Sequence, residues 1–195
     1  MKFTTTALIA STAALAAASP CKPTPTENPK AGDIFRIMAL RSASDIHFQS
    51  VQALRNGFLI NAPAQNASCS RDVNYASFIL QEDGDLYLNT RNPPQQAFVD
   101  RSGMGQGVIQ YTTGVQGIGR NQERGPFKIN SDSNLVFVSA NGEETGFQAC
   151  PNALGGGYSV WLAGATNPGG NKDCIGFSAR ALKESDPVTC AYTTS

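Results

Sequence analysis

Histidine occurs once, at position 47, tryptophan once, at position 161, and charged residues make up only 15% of the 195-residue chain. Each scarcity removes a class of chemistry. A serine triad needs an imidazole base and a zinc centre usually takes several histidine or cysteine ligands, so no catalytic residue, cofactor site or metal site is assigned. Lys plus Arg and Asp plus Glu each number 15, and no basic run occurs, so the surface by which a protein displaces counterions from nucleic acid or an anionic membrane is lacking. No apolar stretch reaches the roughly twenty residues of a membrane span. The closing "DPVTCAYTTS" is polar and lacks the hydrophobic tail of a lipid-anchor signal.

What is present begins with an address. Lys2 precedes a weakly apolar run, Phe3 to Leu15, and then Ala16, Ala17 and Ala18, so residues 1–18 read as a secretory signal peptide. Cleavage removes Lys2 and leaves fourteen basic side chains against fifteen acidic ones. Residues 19–32, with Pro20, Pro23, Pro25 and Pro29, read as an extended leader, and residues 33–195 as one β-rich globular domain. Five cysteines, at 21, 69, 150, 174 and 190, form no C-x-x-C pair, and in an exported chain they read as disulfide partners. Spacing does not select the pairing. The expectation is Cys150 with Cys174 and Cys21 with Cys190, with Cys69 left over as a buried thiol or an intermolecular link.

Apolar residues alternate: Phe35, Ile37 and Ala39; Ile46 and Phe48; Phe78 and Leu80; Leu86 and Leu88. Period two predicts strands. "SFILQEDGDLYLN" also lies over "PFKINSDSNLVFV" at an interval of forty-nine residues, with Phe78 on Phe127, Leu80 on Ile129, Asp83 on Asp132 and Leu86 on Leu135. Phe98 falls on Phe147, and Ile109 and Tyr111 fall on Tyr158 and Val160. A two-residue turn is expected in each copy, at Asp83-Gly84 and Asp132-Ser133. Phenylalanines at 35, 78, 127 and 177 divide the chain into three units of roughly forty-five residues. That organisation predicts an all-β fold of β-trefoil type, with the last strand closing on the first, and an antiparallel β-sandwich as the alternative. The first unit departs from the register, and "SVQALRNG" is compatible with a helical turn.

"DRSGMGQG", residues 100–107, has the glycine content of a phosphate cradle, but such a cradle needs a helix N-terminus after it. Val108 to Thr113 follows, β-branched and alternating, so a turn between strands is expected. Glu82, Asp83 and Asp85 cluster at a turn and Glu143 and Glu144 in a loop, where solvation accounts for them. Asn66-Ala67-Ser68 is a sequon, so Asn66 is expected to carry an N-glycan. Tyr158 and Trp161 are the candidate glycan contacts, because aromatic faces stack on sugar C–H faces; three positions apart on a strand, they point to opposite sides, and core packing is the leading reading for Trp161, whose run matches the second repeat's strand.

"QNASC", "FVDRSGMGQG", "YTTG", "ACPN", "TNPGGN", "DCIGF" and "CAYT", in that order from Gln65 to Thr193, together resemble the fungal cell-wall protein phiA family. The resemblance runs from Phe35 to Tyr192 and includes the five cysteines and the Asn66 sequon. It departs in a longer Pro-rich leader and in the "NGEETGF" loop. It implies a secreted, non-enzymatic wall component linked to phialide and conidium development and to stress protection, with allergenicity in some members. Wall polysaccharides are the expected partner. A secreted carbohydrate-active enzyme or inhibitor aimed at competing microbes is the alternative.

Overall fold

A computed structural model describes Met1 and residues 28–194. The expected signal peptide, most of the leader and Cys21 lie outside the described residues. The first half carries β1 (Ile34–Leu40), β2 (Val51–Leu54), β3 (Gly57–Ile60), β4 (Ser68–Cys69), β5 (Ser77–Leu80), β6 (Leu86–Leu88), β7 (Gln95–Asp100) and β8 (Val108–Thr113). The second carries β9 (Gln122–Glu123), β10 (Phe127–Ile129), β11 (Asn134–Val138), β12 (Glu144–Thr145), β13 (Phe147–Pro151), β14 (Tyr158–Leu162), β15 (Ile175–Lys183) and β16 (Cys190–Ala191). One 3-10 turn, Pro168–Gly170, is the only helical element among the described residues.

All these strands pair antiparallel. Pairing runs β1-β5-β6-β7-β8-β3-β14-β13-β15, and β15 returns to β1 from Phe35↔Lys183 to Leu40↔Ser178, so nine strands close into a barrel-like sheet. Closure leaves none of these nine strands with an open edge on which another chain could pair. It also departs from the sandwich alternative, in which two sheets face each other. β16 and β4 form a separate two-stranded sheet.

The forty-nine-residue interval is a pairing rule as well as a sequence pattern. β5 pairs with β6 as Phe78↔Leu88 and Leu80↔Leu86, and β10 pairs with β11 as Phe127↔Phe137 and Ile129↔Leu135. The turns match too. Gly84 N–H donates to Gln81 C=O and Gln81 N–H to Asp85 C=O, as Ser133 does to Asn130 and Asn130 to Asn134. Each loop therefore has three residues, not the expected two, and its last member is left-handed, at φ 90 for Gly84 and φ 60 for Ser133. The second match slips: Phe98 faces Gln110, but Phe147 faces Leu162, because the later hairpin has three more residues between these partners and its pairing runs on to Pro151↔Tyr158.

Core positions recur in threes. Ile37, Leu86 and Leu135 stand forty-nine apart; Phe58, Ile109 and Val160 stand fifty-one apart; Phe78, Phe127 and Phe177 complete the set, and all nine line one central apolar space of about 20 Å³. So small and apolar a space is packed core, not a ligand chamber. "SVQALRNG" is not a helical turn. Val51–Leu54 and Gly57–Ile60 form a hairpin around Arg55-Asn56, whose φ values of 50 and 61 match the two-residue turn that suits strand twist.

Candidate functional site

Positions that looked chemical in the sequence mostly turn out to be joints. The glycine-rich loop joins β7 to β8. Asp100 Oδ1 accepts from Ser102 N–H at 2.9 Å, Ser102 Oγ accepts from Gly105 N–H at 2.9 Å, and Gly107 N–H returns to Asp100 C=O at 2.7 Å. A Cβ on Gly105 would sit 2.2 Å from Asp100 Cγ, so the carboxylate occupies the place of a side chain there. Burial works against ionisation of Asp100, but hydrogen bonds from Ser102 and Gln122 outweigh it and hold the carboxyl below its ordinary range.

The clustered acids have similar duties, although Glu144, expected in a loop, lies in β12. Burial and neighbouring Asp83 push the Asp85 carboxyl up, while the Gln96 amide bonds it. Glu144 pairs with Lys128 at 2.9 Å, which keeps its carboxyl low. His47 Nδ1 accepts from Arg41 N–H at 3.0 Å. Among the described residues no group of three or more His, Cys, Asp or Glu could hold a metal ion, and no helix is long and apolar enough to cross a membrane.

The disulfide expectation needs correction. Cys69 bonds Cys190, and Cys150 bonds Cys174. Cys69 and Cys190 are direct partners in the β4–β16 register, so the pairing is decided by strand register and not by closeness to the chain ends. Cys69 is thus not left over, Cys190 is not free for Cys21, and Cys21 is the odd cysteine.

The two aromatic candidates divide unequally. Trp161 is only 8% exposed; its indole N–H donates to Ser159 Oγ at 2.8 Å, and its ring lies so close under Gly169 that an added Cβ would be 2.8 Å from Cη2. It is a packing residue, covered by the 168–170 turn. Tyr158 is half-buried, and its hydroxyl donates to the Asp45 carboxylate, with oxygens at 2.9 and 3.0 Å.

Phe48 differs most from its sequence pattern. Alternation with Ile46 predicts an inward side chain, yet Ile46 is fully buried and Phe48 is 63% exposed at φ 64. Residues 45–48 are turn, not strand, so period two does not apply to them. No residue pattern encodes an exposed phenylalanine in the left-handed region.

Two phenols sit at the opposite extreme. Burial pushes the Tyr111 hydroxyl up to about 12, and it pushes the Tyr192 hydroxyl up as well, while Ser77 N–H donates to Tyr192 at 2.9 Å. Both are neutral structural groups. Asn66 is exposed, at φ 51, in the loop before β4. The oxidised Cys69 nearby therefore leaves its side chain in solvent.

A PhiA-like secreted protein family model matches residues 35–193. The chain is 40% identical to the cell wall protein phiA of Emericella nidulans across all of both chains. It is 42% identical to that of Aspergillus fumigatus, over 99% of this chain and all of that one, and 36% identical to that of Aspergillus niger, over 94% and 95%. No solved structure gives a significant match. The relatives are named as cell wall proteins, which is not the name of an enzyme family. With a matched region that takes in every strand from β2 to β16, this chain belongs to the PhiA-like family of secreted cell wall proteins.

Proposed function

We propose that this protein is a non-enzymatic wall component that associates with wall polysaccharides, and that it serves phialide and conidium development and stress protection as its family resemblance implies. The observation that carries this reading is the full-length similarity to relatives named as cell wall proteins. The engagement of Asp85 and Glu144 in a hydrogen bond and an ion pair supports a structural role for those acids. Attachment has two routes. One is polar and aromatic contact with glycan; the other is an intermolecular disulfide through Cys21, the cysteine left over by the two bridges. Sequential extraction of walls separates them: detergent followed by glucanase should release the protein, and reductant should add a further fraction that Cys21→Ser removes. Purified protein that does not sediment with β-glucan, chitin or isolated walls would end the polysaccharide reading.

For the fold, we read the nine-strand closure as part of a β-trefoil. Six strands, β1, β5, β6, β10, β11 and β15, would form the barrel, and the hairpins β2–β3, β7–β8 and β13–β14 would cap it. The core triplets support this, as does the 2.7 Å bond from Phe127 N–H to Gly84 C=O, which links β10 to the β5–β6 turn.

N-glycosylation of Asn66 is also proposed, on its sequon and exposure. Secreted protein should gain mobility after deglycosylation, and Asn66→Gln should reproduce that shift with less than about 0.5 kcal/mol change in stability, as for other exposed sites. An unchanged band in both experiments refutes the proposal.

A further inference from the structure

We infer that Phe48 and its surroundings form a binding site for a neutral sugar chain, an inference that rests on the wall-polysaccharide reading and names its site. A groove of about 290 Å³ runs between the turn before β2 and the segment before β5. It is near the lower end of small-molecule sites, which suits a shallow stretch of oligosaccharide.

Phe48 forms one side. Its ring packs against His47, with centroids 3.8 Å apart, and keeps 63% of the residue's surface in solvent. The backbone there does not give way: Phe48 N–H donates to Ala39 C=O at 2.8 Å, and Ala39 N–H donates to Gln49 C=O at 2.8 Å. A phenylalanine at φ 64 is strained, and an exposed one has no core contact to offset that strain. Tyr75 forms the other side, with the Arg36 guanidinium 5.6 Å from its ring centroid.

The floor is rigid amide chemistry. Gln52, 2% exposed, clasps Ala62 through N–H donation at 3.0 Å and acceptance at 2.7 Å, and also donates to Asn74 Oδ1 at 2.8 Å. Gln49 and Asn61, on the rim, have side-chain amides with no hydrogen-bond partner among the described residues. The site thus offers an aromatic face for sugar C–H groups, free amides for hydroxyls, and no charged lining residue. That chemistry fits a neutral pyranose chain, with the Arg36 guanidinium engaged at the Tyr75 ring. Preformed walls spare the ligand the cost of ordering them.

The test is an amide chemical-shift titration of the secreted protein with laminarihexaose, chitohexaose and mannohexaose, with a polygalacturonate oligomer as the anionic control. Shifts should cluster at residues 48–52, 61 and 74–75 for at least one neutral hexamer, and Phe48→Ala should weaken that affinity at least tenfold. Phe48→Gly should do the same while raising the melting temperature, because glycine relieves the left-handed strain. A merely structural Phe48 would give the opposite thermal result. No shift with any neutral hexamer, a preference for the anionic oligomer, or unchanged affinity in Phe48→Ala overturns the site. In each case, wild-type protein that still sediments with walls leaves the wider polysaccharide reading standing.

Discussion

Replacing Cys69 and Cys190 together with alanine lowers the stability of the mature protein by about 4–5 kcal/mol, more than the same change at Cys150 and Cys174. The bridges span sequence separations of 121 and 24 residues. A cross-link restricts the unfolded chain in proportion to the logarithm of the loop it closes, which gives roughly 4.7 kcal/mol for a hundred-residue loop and about 3 kcal/mol for a fifteen-residue one. Position reinforces length. Cys190 is 2% exposed and leads into Tyr192, whose N–H donates to Gln95 Oε1 at 3.0 Å and whose C=O accepts from Gln95 Nε2 at 3.0 Å. Upstream, Asn89 Nδ2 donates to Val188 C=O at 2.9 Å. The bridge thus pins a C-terminal segment whose buried polar groups lose their partners if it lifts away. Calorimetry of the two double variants, with Cys21→Ala as a control that leaves the melting temperature unchanged, measures the order. A larger loss at Cys150 and Cys174 would mean that the long loop is already compact in the unfolded state.

Gly84→Ala destabilises the fold by about 2–4 kcal/mol, although it adds one methyl group. Gly84 lies at φ 90, where an L side chain costs about 1–2 kcal/mol. Its Cβ would meet Pro126 Cβ at 2.5 Å and Pro126 Cα at 2.8 Å. Main chain cannot rotate aside as a side chain can. The shift would also break the bond from Phe127 N–H to Gly84 C=O, at the seam where the two repeats meet. Gly103→Ala is the control, since a Cβ there meets nothing within 4 Å, and its effect should stay within about 0.5 kcal/mol. Urea denaturation of both variants decides the matter. Equal midpoints would show that the seam is loose.

Much of this molecule is legible in its residues. The matched hairpins at Phe78 and Phe127 could be read because side-chain period and turn chemistry are local, and local rules repeat when the chain repeats. The same rules erred at Phe48, where a turn bolted to Ala39 sets the ring outward against its alternation with Ile46. They left open which of Tyr158 and Trp161 is covered, since that depends on the distant 168–170 turn that packs on the Trp161 ring.

The sequence by itself determined export, strand character, the forty-nine-residue interval and family membership, all of which reside in composition, local periodicity or ordered motifs. Tertiary structure alone decided that Cys69 faces Cys190 and that Phe48, Gln49 and Asn61 share a groove. Those are relations between residues far apart in the chain or exempt from its periodicity. Only long-range pairing, which balances burial against the entropy of closing large loops, brings them together.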